Sequence, residues 1–141
     1  MKIRVVNGPN LNMLGIREPE IYGRATYADL EAYVHASAAA LGAQAEVFQS
    51  NHEGALVDII QQALGAADAI VINPAAYTHT SVAILDALKA VGLPAVEVHL
   101  SDVRSREAFR RVSYASRACI GVIAGLGFEG YKKAMEILIA L

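Results

Sequence analysis

The sequence predicts a doubly wound α/β fold built on a five-stranded parallel sheet with helices on both faces. Two observations predict it: five short runs rich in Val and Ile recur along the chain, and segments with helical spacing separate them. The runs show little polar alternation, as do strands buried on both faces. Strict alternation of strand and helix then implies right-handed crossovers with helices above and below the sheet. At 141 residues the chain suits a single domain, 1–141, with a core that needs no disulfide or metal staple.

The first strand is Ile3–Val6. About 17 residues without periodicity follow, from Asn7 to Gly23, carrying Gly8, Pro9, Gly15, Pro19 and Gly23; a loop that long is functional or disordered. Leu30, Val34, Ala38 and Leu41 form the stripe of the first helix, with Thr26 and Asp29 as its capping pair. Strand two, Ala45–Phe48, leads to a helix striped by Leu56, Ile60, Ala63 and Leu64. Strand three, Ala69–Ile72, leads to a helix striped by Val82, Leu85 and Leu88 and closed by Gly92 and Pro94. After strand four, Ala95–Val98, residues 99–117 replace a full crossover helix with a short helical turn rich in Arg and Ser. Strand five, Ile120–Ala124, precedes a last helix from about Gly130, with Tyr131, Ala134, Met135 and Leu138 facing inward.

Composition narrows the function. A hydrophobic content of 55% excludes a disordered chain. The longest apolar stretch, Ala118–Phe128, is broken by glycines and falls far short of the roughly 20 residues a membrane span needs. No apolar signal core follows the basic residues at the start, and Cys119 is the only cysteine, so a cytoplasmic location is expected. A net charge of −2 gives no reason to expect nucleic acid or an anionic membrane as partner. Eight of the 12 basic residues are Arg, four of them at 104, 106, 110 and 111. Arg holds carboxylates and phosphates with a planar fork, which suits a small anionic ligand.

Ligands of open α/β sheets bind beyond the carboxyl ends of the strands. Those ends carry Asn7 and Asn10; Gln49, Ser50, Asn51 and His52; Asn73, Thr78, His79, Thr80 and Ser81; and Glu97, His99 and Ser101. Three of the four histidines therefore fall on one edge, while His35 lies solvated within the first helix. Glu97 and His99, two apart on a strand, point the same way, so the carboxylate can orient the ring for acid–base work; a purely structural pair is the competing reading. Ser50, Asn51, Thr80 and Ser81 read equally well as caps. Arg106 and Arg110 share a helical face, as an anion clamp or as a solvated pair. Tyr22, five residues after Arg17, is a packing tyrosine or a base whose phenolate a nearby guanidinium favours.

Other motifs fail. Gly125–Gly130 matches GxGxxG, but no second strand or ribose-binding acid follows, and packing of the last helix explains it better. There is no Walker lysine and no GxSxG elbow, and the histidines with Glu97 lack metal-ligand spacing. A phosphorylation receiver would need acids where Asn7 and Asn73 stand, and a flavin protein a Ser/Thr-rich phosphate cradle in the first loop. The residues point instead to a cofactor-free acid–base enzyme acting on a small anion.

The motifs NGPNLNMLG (7–15), REPEIYG (17–23), QSNHEG (49–54), NPAAYTHTS (73–81), EVHLS (97–101), REAFR (106–110) and GVIAGLG (121–127) occur in order. With them the sequence resembles type II 3-dehydroquinate dehydratase, a small shikimate-pathway enzyme of aromatic amino acid biosynthesis, over essentially its whole length. The resemblance implies a flavodoxin-like fold and dehydration of 3-dehydroquinate to 3-dehydroshikimate through an enolate, without metal or organic cofactor. By the same resemblance Tyr22 is the base, Arg17 lowers its pKa, and Glu18 supports the loop. Asn10 holds a water near the enolate, and His99, oriented by Glu97, protonates the departing hydroxyl. Asn73, His79, Arg110 and the backbone of Leu100 and Ser101 hold substrate, Arg106 is a second lid arginine, and Asp86 reaches a neighbouring subunit's site. A dodecamer of four trimers is implied as well. Arg104 and Val112 stand where histidine is common in the family, Asp102 where asparagine is usual and Ile16 where a basic residue often appears. None of these departures removes a catalytic group. Asp102 adds a negative charge beside the backbone implied to hold a carboxylate, which works against binding.

Overall fold

The structure is a computed structural model that describes residues 1–16, 20 and 23–141. Its strands are β1 (Lys2–Asn7), β2 (Gln44–Gln49), β3 (Ala69–Asn73), β4 (Ala95–His99) and β5 (Gly121–Ala124). Its α-helices are α1 (Tyr27–Ala40), α2 (Glu53–Gln61), α3 (Val82–Val91) and α4 (Glu129–Ile139). All strand pairings are parallel and the order is β2-β1-β3-β4-β5. Order reverses between β1 and β3, the switch point at which such sheets leave a crevice for ligands.

Alternation along the strands builds two cores. Ile3, Val5, Val71 and Val98 pack under α1 and α4, with Leu30, Val34, Met135 and Leu138. Val6, Ile70 and Ile72 face the other way onto α2 and α3, with Leu56, Ile60, Ile84 and Leu88. Thr26 and Asp29 form the expected capping box, Thr26 Oγ1 accepting from Asp29 N at 3.2 Å and Asp29 Oδ2 from Thr26 N at 2.9 Å. Gly92 closes α3 in the left-handed conformation. Gly130 lets α4 settle on the sheet, since a Cβ there would stand 3.3 Å from Val98 Cγ1 and 3.4 Å from Ile123 Cγ2; the GxGxxG match is a packing feature.

Some expectations need correcting. β2 and β5 are not buried on both faces, because they are the edges of the sheet: β2 is half-buried and Val122 of β5 is 47% exposed. Ile120 precedes β5 and is exposed. Ala63 is buried as expected, but Leu64 is 64% exposed because α2 ends at Gln61 and the turn that follows directs it outward, and Val82, at the tip of α3, is 50% exposed. Residues 103–118 form three separate 3-10 turns, Val103–Ser105, Ala108–Arg111 and Ala115–Ala118, in place of one helical turn. Arg106 is extended between two of them, so it shares no helical face with Arg110.

Candidate active site

The ends of β1 and β3 meet first. Asn7 and Asn73 are register partners, and Gly8 N donates to Asn73 O at 2.8 Å. Only glycine fits at position 8: a Cβ there would lie 2.4 Å from Pro74 O. Ala75 takes φ 52°, a left-handed backbone secured by its N–H donating to Asn73 Oδ1 at 3.1 Å. Asn73 Nδ2 donates to Tyr131 Oη at 3.0 Å, and that hydroxyl donates to Asn7 Oδ1 at 2.7 Å. Asn7 Nδ2 in turn reaches Tyr27 Oη at 3.4 Å. Burial raises the pKa of both tyrosines, so their hydroxyls remain protonated near neutrality.

The first loop is pinned over this edge by Leu11 and Leu14, which sit in the core. Asn10, at φ 69°, donates its backbone N–H to Asn51 Oδ1 at 3.0 Å. Gln49 Nε2 also reaches Asn51 Oδ1, at 3.1 Å, and Gly8 O, at 3.1 Å. Asn51, just after β2 and itself held by Gln49 at the end of that strand, thus anchors Asn10.

At the end of β4, Glu97 is 1% and His99 6% exposed. His99 Nε2 lies 2.8 Å from Glu97 Oε2. A carboxylate only accepts, so Nε2 carries a proton and Nδ1 remains for a ligand. The other carboxylate oxygen, Oε1, accepts from Ser113 Oγ at 2.7 Å, and Ser113 Oγ accepts from Ser116 N at 3.1 Å. His79 Nδ1 is 2.7 Å from Val112 O; a carbonyl also only accepts, which leaves Nε2 of that ring available. Arg110 Nε donates to Glu107 Oε2 at 2.6 Å, so anion contact falls to its terminal nitrogens. The Glu107 carboxyl is held below its ordinary range, first by its own backbone N–H and then by Arg110.

A cleft gathers these groups. Asn10, Asn73, His79, His99, Leu100, Ser101, Arg106 and Arg110, each singled out from the sequence, all line it. A second cavity shares His99 and Arg110 and backs onto Glu97, Ser113, Arg104, Arg111 and Asp102. Buried Thr78 also faces it, and its Oγ1 has no hydrogen-bond partner among the described residues. Asp102 accepts from Arg104 N at 3.0 Å, capping a 3-10 turn, a task for which Asp and Asn serve equally; its side chain lines the second cavity and not the first.

Other candidates fall elsewhere. Tyr22, Arg17 and Glu18 lie outside the described residues. Asp86 is exposed on α3 and His52 is exposed at the start of α2; neither lines the cleft. Ser81 caps α3 by accepting from Ile84 N, Ser50 accepts from His52 N, and His35 is exposed. Among the described residues no three of His, Cys, Asp and Glu group as metal ligands. Sequence reasoning missed Ser113 as the partner of Glu97; its only signal was its place in the Ser- and Arg-rich segment that replaces a crossover helix. Tyr131 was legible as core, and its hydroxyl contacts were not.

An open parallel sheet with a buried carboxylate–imidazole pair beside an arginine-bearing cleft has the make-up of an enzyme for a small molecule. The chain matches the family model described as dehydroquinase class II over residues 1–139. It is 60% identical over 134 residues to catabolic 3-dehydroquinase 1 of Aspergillus terreus, covering 95% of this chain and 88% of that one. It is 57% identical over 139 residues to the 3-dehydroquinate dehydratase of Cereibacter sphaeroides, covering 99% and 95%. The crystal structure of the type II dehydroquinase of Butyrivibrio crossotus superposes with a TM-score of 0.96 at 48% identity, covering 99% of this chain and 97% of that one. The chain belongs to the type II dehydroquinase family and is an enzyme of the 3-dehydroquinate dehydratase type.

Proposed function

We propose that this chain dehydrates 3-dehydroquinate to 3-dehydroshikimate through an enolate, the step shared by aromatic biosynthesis and quinate breakdown. The observation that carries this reading is the buried Glu97–His99 pair at the wall of a cleft also lined by Asn73, His79 and Arg110. Tyr22 removes the proton alpha to the ketone, and Arg17 favours the phenolate. Asn10 holds the water that stabilises the enolate oxygen. As the enolate collapses, the C–O bond to the departing hydroxyl breaks, and the proton on Nδ1 of protonated His99 leaves with it as water. Glu97 keeps that ring aimed, and Ser113 keeps Glu97 aimed. The backbone N–H groups of Leu100 and Ser101 meet the carboxylate, Asn73, His79 and Arg110 complete the contacts to carboxylate and hydroxyls, and Arg106 serves as a second lid arginine.

The same reading has residues 1–141 as one domain acting in the cytoplasm without metal or organic cofactor. It has twelve copies assembled as four trimers, with Asp86 reaching a neighbour's site. Among the described residues no helix is long and apolar enough to cross a membrane. Twelve chains of 15.0 kDa give about 180 kDa in solution, and a stable monomer overturns that part.

The deciding experiment adds chelator-treated protein to 3-dehydroquinate and follows ultraviolet absorbance as the conjugated enone forms. Turnover is expected, and Tyr22→Phe nearly abolishes it while leaving fold and binding in place. A folded protein that gives no enone overturns the reaction, and near-normal turnover by Tyr22→Phe puts the base elsewhere.

A further inference from the structure

We propose that Tyr131 is a positioning residue for this reaction, acting through Asn73 from beneath the cleft. The inference rests on the reading of Asn73 as a substrate-holding group. Tyr131 is fully buried on α4, among side chains that would pack a phenylalanine equally well. Burying a hydroxyl is costly unless it is hydrogen-bonded, and this one is bonded twice, to the two asparagines that end β1 and β3.

The chain of bonds has one direction only. Ala75 N–H needs an acceptor, so Asn73 must turn Oδ1 toward it and Nδ2 away. Nδ2 then donates to Tyr131 Oη, which spends its own proton on Asn7 Oδ1. Tyr131 therefore holds Asn73 in the amide orientation that Ala75 N–H sets, beside the left-handed Ala75. Asn73 and Ala75 both line the cleft. One of the two hydrogens on Nδ2 serves Tyr131, and the other is left for a ligand. Without the tyrosine hydroxyl, Asn73 Nδ2 and Asn7 Oδ1 both lose this partner, and the Asn73 amide is anchored at Oδ1 alone, by Ala75 N–H.

The test is a double-mutant cycle on the whole enzyme, with Tyr131→Phe, Asn73→Ala and the pair, reading KM and kcat separately. Tyr131→Phe is expected to raise KM about tenfold, the effect of one orienting hydrogen bond, with kcat changed less than about threefold. In the Asn73→Ala background the same substitution is expected to raise KM less than about twofold. Tyr131→Phe that lowers only thermal stability, or effects that multiply in the pair, would leave the tyrosine a packing residue and overturn the proposal. Asn73→Ala with unchanged KM would instead bring down the reading of Asn73 itself, a separate and recognisable outcome. Should Tyr131→Phe fail to fold, 3-fluorotyrosine placed at 131 in a Tyr22→Phe background reports the same coupling. Its fluorine resonance is expected to shift on titration with 3-dehydroquinate, and a resonance unmoved at saturation overturns the proposal.

Discussion

Ser113→Ala removes one hydroxyl from behind the Glu97–His99 pair. That hydroxyl donates to Glu97 Oε1 at 2.7 Å, where the carboxylate is 1% exposed. A short bond to a buried anion contributes about 2 kcal/mol, roughly twice a neutral one. Stability should fall by about that amount, read as a shift in the urea midpoint at fixed protein concentration. The same bond holds Oε2 on His99, so if the loss is expressed fully in proton delivery, kcat falls about 30-fold. Ser113→Thr keeps the hydroxyl and is expected to retain most of the rate. In a Glu97→Gln background, Ser113→Ala should cost kcat nothing more, because the anion it serves is gone. The assay is enone formation from 3-dehydroquinate at saturation. Unchanged kcat in a Ser113→Ala enzyme that has lost stability would refute the reasoning, because it would mean that Glu97 holds His99 without the serine.

Gly8→Ala drives a Cβ into Pro74 O and should destabilise the fold by about 3 kcal/mol, since backbone must move on both strands; a melting temperature within a degree of wild type would contradict this. Burial pushes the Cys119 thiol up to about 12 from 9.0. The folded state then keeps a proton that the unfolded chain loses, so stability is intact below pH 9 and declines from there to about pH 12. At pH 10 the loss is about 1.4 kcal/mol, and Cys119→Ala should flatten that limb in urea titrations. Thr26→Ala removes half of a capping box and should cost about 1 kcal/mol without changing KM.

Most of the fold could be read from local pattern. The Val- and Ile-rich runs found all five strands, and Thr26, Gly92 and the inward stripe of α4 marked helix ends and faces correctly. Exposure of β2 and β5 was not legible, because a run such as Gly-Val-Ile-Ala reads alike at the centre or the edge of a sheet. Leu64 and Val82 were misread because helical spacing does not reveal where a helix stops. In the site, His99 and Glu97 declared themselves through two-residue spacing at a strand end. Ser113 and Tyr131 did not, since their partners are 16, 58 and 124 residues away and only the crossovers bring them together.

The bond from Tyr131 to Asn7 spans nearly the whole chain and has a consequence in time. β1 leaves the ribosome well before α4 does. Until Glu129 and the residues after it have emerged, the amides of Asn7 and Asn73 have no hydroxyl between them. A chain lacking this helix leaves the floor of its cleft open, and the face of the sheet that Met135 and Leu138 cover is bared with it. Completion of the cleft floor therefore waits on the docking of α4.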